Sequence, residues 1–334
     1  MANNNRIFYA VHQAGFSLIG AEDYTAVHGL QSVGITTTFN LEQVFELGQI
    51  ELYENIENIP DIEVTLEKVL DGHPLIYELA TSGATSNTLS GRSNNQTDFS
   101  LSIFPDTYDA ASGANAITQV YCSGVYVSAL TYTFPVDGNC TESVTLVGND
   151  KTWASGAAIT FDGAFPVTLD DAPLATDGVQ RRENVVMGAG AGASTFPTEI
   201  EGINSSGKNI SNGSTFNAHI QTITVSTNLG REELFELGRR GPYYRFVSFP
   251  TEVTCSIDIT SSQGDLVDAQ ADPAGGTNLT DQTIIIKTDD GTVVNLGTNN
   301  KLASVSYTGG DAAGGNVVTT YNYSNFNALT VTSP

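Results

Sequence analysis

The run Ile35-Thr-Thr-Thr-Phe-Asn-Leu41, continued by Glu42-Gln-Val-Phe-Glu-Leu-Gly48, returns much later in the same chain. Its second occurrence is Ile223-Thr-Val-Ser-Thr-Asn-Leu229 and, after two extra residues, Glu232-Glu-Leu-Phe-Glu-Leu-Gly238. The match then runs on without a gap: Tyr53 falls on Tyr243, Ile56 on Phe246, Ile59 on Phe249 and Pro60 on Pro250. Glu63-Val-Thr65 echoes Glu252-Val-Thr254 one residue out of step. Later blocks keep the same order. Phe99-Ser-Leu-Ser-Ile-Phe104 resembles Ile284-Ile-Ile-Lys-Thr288 in pattern, Leu130-Thr-Tyr-Thr133 matches Val305-Ser-Tyr-Thr308, and Gly138-Asn139 matches Gly315-Asn316. Blocks that recur in one order read as a single module used twice.

Period and punctuation suggest the local structure. Ile35, Thr37 and Phe39 alternate, as do Ile223, Val225 and Thr227, which predicts a strand half-buried on one face. Asn40 with Gln43 three residues on has capping-box spacing, Val44, Phe45 and Leu47 form an apolar stripe, and Gly48 follows. A short helix is therefore expected in each module, with Phe45 and Phe235 buried beneath it at equivalent places. Pro60 opens a second strand in which Ile62, Val64 and Leu66 alternate, and Asp137-Gly138 and Asp290-Gly291 mark hairpin turns. The fold class expected is mainly β: two tandem β-sandwich or barrel modules, each flanked by one short α-helix. The boundaries are an N-terminal arm over 1–25, module one over 26–153, an insert or linker over 154–214, and module two over 215–334.

The chain has 334 residues and is 40% hydrophobic, an ordinary globular composition. Its 37 Asp and Glu against 13 Lys and Arg leave a net charge of -24, a surface that repels nucleic acid and anionic membrane unless its arginines are gathered. Three cysteines, Cys122, Cys140 and Cys255, lack CxxC spacing, and their odd number argues against a closed disulfide framework. The apolar run Ile7–Val11 stops too soon for a signal peptide, and nothing approaches the ~18 apolar residues of a membrane span. A soluble chain made in a cytoplasm, with no membrane anchor, is expected.

Catalytic signatures are missing from the sequence. The glycine run Gly188-Ala-Gly-Ala-Gly-Ala193 has the wrong spacing for a dinucleotide fingerprint and reads as a flexible linker. His12, His28, His73 and His219 are scattered singly, and neither Asp170-Asp171 nor Asp289-Asp290 carries an EF-hand pattern. The reading is a non-enzymatic chain with no catalytic, cofactor-binding or metal-binding residues. One charge contrast stands out. Glu51, Glu54 and Glu57 follow the first block, whereas Arg239, Arg240 and Arg245 follow the second. Opposite charge at aligned positions suits inter-subunit contacts between one module and the homologous module of a neighbour.

The block Glu42–Gly48 with its echo Glu232–Gly238, the strands around it, and the meander containing Val127–Thr133, Asp137-Gly138 and Glu142–Gly148 together resemble the major tail tube proteins of long-tailed bacteriophages. That resemblance implies a virion structural protein whose sandwich or barrel fold assembles into six-fold rings that stack into a tail tube. A chain carrying the fold twice would form homotrimeric, pseudo-hexameric rings. The implied partners are other copies of the chain and tail proteins such as sheath or terminator. DNA would pass through the lumen during ejection without specific binding. The polar loop Thr81–Gln96, with a counterpart around Ser261–Gly276, is then expected to be mobile in the free subunit and to reach a neighbouring ring. Two other classes compete. A carbohydrate-binding or adhesive β-sandwich would display clustered aromatics such as Tyr243, Tyr244 and Phe246, and a polysaccharide-degrading tail enzyme would need a carboxylate pair facing a groove.

Overall fold

The computed structural model describes residues 6–21, 24–105, 116–155, 178–212, 215–265, 267, 280–310 and 314–334; Asp170-Asp171 and most of 261–276 lie outside them. The first strands are β1 (His12–Leu18), β2 (Thr25–Ala26), β3 (Leu30–Thr38), β4 (Leu41–Phe45), β5 (Leu52–Glu57) and β6 (Asp61–Val69). Short helices α1 (Ile76–Leu79) and α2 (Leu89–Arg92) precede β7 (Thr97–Ile103), β8 (Thr118–Pro135), β9 (Thr141–Gly148) and β10 (Thr152–Ser155). Then come β11 (Ser211–Asn212), β12 (Thr215–Phe216), β13 (Ile220–Asn228), β14 (Arg231–Leu234), β15 (Tyr244–Val247) and β16 (Glu252–Thr260). The chain ends with β17 (Ile285–Lys287), β18 (Val293–Asn295), β19 (Lys301–Thr308), β20 (Val318–Phe326) and β21 (Thr330–Thr332).

Eight of these strands form one antiparallel path, β3-β6-β9-β8-β13-β16-β20-β19. The path consists of two successive four-strand runs, β3-β6-β9-β8 and β13-β16-β20-β19, each with its strands in the chain order first, second, fourth, third. Both runs carry a two-stranded hairpin between their first two strands, β4–β5 and β14–β15. The ladders also skip a residue at matching places. β3·β6 skips between Leu30 and Ser32, and β13·β16 between Ile220 and Thr222. Likewise β8·β9 skips between Val127 and Ala129, and β19·β20 between Leu302 and Ser304. Counted from these bulges, Ile35 stands opposite Val64 where Val225 stands opposite Cys255. Ile35 therefore corresponds in place to Val225, not to Ile223, and the apparent two-residue gap after Leu229 disappears.

Alternation fixes which face is buried. Along β6, Ile62, Val64 and Leu66 are buried while Asp61, Glu63, Thr65 and Glu67 are exposed. β9, β13, β16 and β20 repeat the pattern, so the eight-strand sheet has one apolar and one polar face. Over the apolar face lies a second layer. The 18-residue β8 pairs by its first half with β7 and β10 and by its second half with β9 and β13, so it joins both layers. The three-stranded sheet β17-β18-β21 adds Ile286, Val294 and Val331 to the same buried cluster as Val64, Leu146, Tyr132, Ile257 and Tyr321.

Several expectations are corrected. The blocks 42–48 and 232–238 are not helices but the first arms and turns of the hairpins β4–β5 and β14–β15. Cross-strand partners such as Glu42↔Ile56 and Glu232↔Phe246 supply the ladder, and Gly48 (φ 97°) and Gly238 (φ 85°) turn the chain instead of stopping a helix. Phe45 and Phe235 are accordingly 66% and 60% exposed, not buried. Replacing either ring by alanine should change single-chain stability by no more than about 0.5 kcal/mol, measured by denaturant titration at dilution. The residues read as an N-terminal arm include β1, which pairs with β7 along its whole length. Thr81–Gln96 is packed instead of free: Leu89 is buried, its N–H donates to the Leu329 carbonyl at 3.1 Å, and Arg92 donates to Thr81 Oγ1 at 3.0 Å. The described part of the insert is also more than a linker, because Phe196 and Ile200 are buried and Thr195 N–H donates to the Ile285 carbonyl at 2.7 Å, beside β17.

Candidate assembly interface

Where the two four-strand runs meet, β8 pairs with β13 over Thr222↔Pro135 to Asn228↔Ala129. Tyr132 sits on the apolar face of this junction and is 0% exposed. Its hydroxyl donates to Glu142 Oε1 at 2.8 Å, and the same carboxylate accepts the backbone N–H groups of Ile76 at 2.6 Å and Tyr77 at 3.1 Å. Burial holds the Glu142 carboxyl above its ordinary value, opposed by Lys68 and by these donors. Lys68, opposite Glu142 in the ladder, donates to the carbonyls of His73 and Pro74 at 3.2 and 3.0 Å and pairs with Asp71 at 3.2 Å. His73 stacks on His28 with ring centroids 4.0 Å apart, so two histidines far apart in sequence meet in space.

The outer edges of the sheet contrast with this closed junction. On β19, Val305 and Tyr307 hold the ladder places that Leu130 and Tyr132 hold on β8, since Val305 faces Tyr321 as Leu130 faces Val144. Yet Tyr307 is 53% exposed and Val305 only half-buried. On β3, Val33 and Ile35 face Leu66 and Val64 but are likewise half-buried. Both edges thus carry core-facing side chains that no strand among the described residues covers. Bare edges of this kind are pairing sites.

The hairpins differ in the same way. β14–β15 lies against the first run: Arg231 Nε donates to the Val127 carbonyl at 2.9 Å, with its guanidinium 4.9 Å from the Tyr126 ring centroid. Arg240 donates to the Glu57 carbonyl at 2.7 Å, and Arg245 reaches Asp61 Oδ1 at 3.2 Å and Asn149 Oδ1 at 3.1 Å. Asn40, Ile59, Asp61, Glu233, Arg240 and Pro242 line the cleft between the hairpins. Two of the arginines expected at subunit contacts, Arg240 and Arg245, are therefore engaged with Glu57, Asp61 and Asn149 of their own chain. Arg239 pairs locally with Glu236 at 3.5 Å. Glu51, Glu54 and Glu57 stay exposed on β4–β5, as do Leu41, Phe45, Ile50 and Tyr53. Of the aromatic group named as a sugar-binding candidate, Tyr244 donates to the Asn94 carbonyl at 2.8 Å and packs on Tyr126 and Phe246, while Tyr243 and Phe246 are exposed.

The polar face of the eight-strand sheet bears Glu63, Glu67, Glu252 and Asp258 among serines and threonines, with Lys301 on its β19 edge paired to Asp281 at 2.8 Å. Among the described residues no three His, Cys, Asp or Glu side chains are grouped to hold a metal ion, and no helix is long and apolar enough to cross a membrane. Cys122, Cys140 and Cys255 are buried and unbridged, and burial pushes each thiol up to about 12.

No family model matches this sequence, and no curated protein matches it. Solved structures to which this chain is similar include the anti-feeding prophage cap, 14% identical over 47% of this chain and 95% of that one, with a TM-score of 0.34. The sheath-tube complex of an extracellular contractile injection system is 12% identical over 46% and 94%, also at 0.34. A chain from the virion of a native gene transfer agent particle is 9% identical over 42% and 95%, at 0.29.

Proposed function

We propose that this chain is a non-enzymatic structural subunit of a phage-type tail tube, in which one duplicated module occupies roughly 26–153 and 215–334. Copies close into rings when β19 of one chain pairs with β3 of the next, and the rings stack into a tube through which DNA is ejected. The contrast between Tyr132 and Tyr307 carries this reading. The two tyrosines hold matching places, but the first is covered because another run follows it in the chain, while the second ends its run uncovered. A head-to-tail contact that repeats the internal one closes a ring instead of a pair. Three copies joined this way give pseudo-six-fold symmetry.

The internal ladder supplies the register of the external one. Tyr132 faces Val225 and Thr131 faces Ser226, so Tyr307 is placed opposite Ile35 and Ser306 opposite Thr36 of the neighbour. The acidic and hydroxyl-bearing sheet face then lines the ring and presents little for phosphates to grip. A virion tail location, synthesis in a host cytoplasm, and association with sheath or terminator proteins belong to the same reading.

A Thr36→Cys/Ser306→Cys chain tests it, because both positions are exposed and the native thiols are buried. Oxidation of the assembled protein with copper phenanthroline should yield covalent trimers on a denaturing, non-reducing gel. Persistence of monomer alone at high protein concentration would sink the ring reading.

A further inference from the structure

We infer, on the ring reading above, that hairpin β4–β5 lies over the second four-strand run of the neighbouring copy, and that this contact is apolar where its counterpart inside the chain is made by arginines. The hairpins share a register, since Val44↔Glu54 in one matches Leu234↔Tyr244 in the other. Leu41 therefore takes the place of Arg231, Ile50 that of Arg240 and Asn55 that of Arg245. Inside the chain the arginine hairpin meets Asp61 and Asn149, both bonded to Arg245, and a Cβ on Gly241 would lie 3.7 Å from Ile59 Cδ1.

Of the receiving positions on the second run, the amide has changed in the same sense while the acid is kept. Phe249 stands where Ile59 stands, each just before a proline, whereas Glu252 takes the ladder place of Asp61, since Val253 faces Thr227 as Ile62 faces Thr37. Phe326 follows Asn325, which faces Val253, as Asn149 follows Gly148, which faces Ile62. The surface that the cation-free hairpin would meet keeps an acid, Glu252, but offers Phe249 and Phe326, the second in place of the Asn149 amide. Phe249 and Phe326 are exposed, as are Leu41 and Ile50. Among the described residues nothing covers either group, although the corresponding surfaces inside the chain meet through Arg245 and Asn149.

The division has a physical logic. The contact inside the chain is held at high local concentration by the covalent connection and can be polar. The contact between chains must form from solution, and apolar burial drives association without strong dependence on salt. Around a ring, arginine-based and apolar junctions would alternate, with Glu51 and Glu54 left at the hairpin surface.

The test places Leu41→Asp and Ile50→Asp together in the Thr36→Cys/Ser306→Cys chain. Both side chains are exposed, so circular dichroism and denaturant titration should show an unchanged fold. The inference expects the yield of covalent trimer to fall at least about tenfold. It also expects ring formation by the parent protein to change less than about twofold between ~0.1 and ~1 M salt. Cross-linking at the parental level overturns it, and so do rings that dissociate as salt rises. Rings that form normally but no longer stack also overturn it, because the hairpin would then meet the next ring. If the parent cysteine pair itself does not cross-link, the ring reading falls and this inference with it.

Discussion

Tyr132→Ala is expected to cost the folded chain about 3–5 kcal/mol, the usual range for a buried aromatic ring, while Tyr307→Ala leaves it within about 0.5 kcal/mol of the parent. The two rings occupy matching ladder places, so the difference comes from what covers them. Tyr132 loses contact with the packed junction between β8 and β13 and leaves Glu142 without its hydroxyl donor. Tyr307 is 53% exposed on an edge strand and has little to lose until a neighbour arrives. Assembly should reverse the order of interest: Tyr307→Ala folds normally yet fails to form rings. Denaturant titration of dilute protein and sedimentation of concentrated protein separate the two effects. Equal destabilisation by both replacements would contradict the claim that β19 is an unfinished copy of the β8 edge.

Glu142→Ala should be comparably damaging, at about 3–5 kcal/mol. One carboxyl group receives the N–H groups of Ile76 and Tyr77 and the Tyr132 hydroxyl in a buried setting, and Lys68 lies opposite it. Removing it strands three donors at once and releases the segment containing α1. Glu142→Gln keeps an acceptor and should cost less. The pH dependence gives a second readout. Because burial raises the folded carboxyl above its ordinary value, its titration contributes stability that is full below the ordinary carboxylate range. That contribution is lost as pH rises through the raised folded value. The Gln variant should lose this slope, and an unchanged slope would assign it to other groups.

The legible part of the sequence was the part governed by period and recurrence. Alternation at Ile62, Val64 and Leu66 reads directly as a one-sided strand, and Leu130-Thr-Tyr-Thr133 with Val305-Ser-Tyr-Thr308 marks the two strands whose unequal burial matters most. The hairpins are not legible locally, because Val44, Phe45 and Leu47 form an apolar cluster too short to distinguish three-residue from two-residue periodicity. Cross-strand partners such as Glu42↔Ile56 and Val44↔Glu54 decide the matter, and these leave no local trace. The burial of Phe45 and Phe235 was wrong for a related reason: apolar residues were assigned to the core of one chain when the exposed hairpin offers them outward. Of the Glu and Arg segments after the repeated block, Arg240 reaches the backbone of Glu57 within one chain. The Lys68–Glu142 arrangement was invisible because its members are brought together only by ladder register.

Cryo-electron microscopy of the assembled protein tests the central claim most directly. The account predicts rings in which β19 of each copy pairs antiparallel with β3 of the next, Tyr307 lying buried opposite Ile35. A particle in which both edges face solvent, or a dispersion of single chains at high concentration, would contradict it.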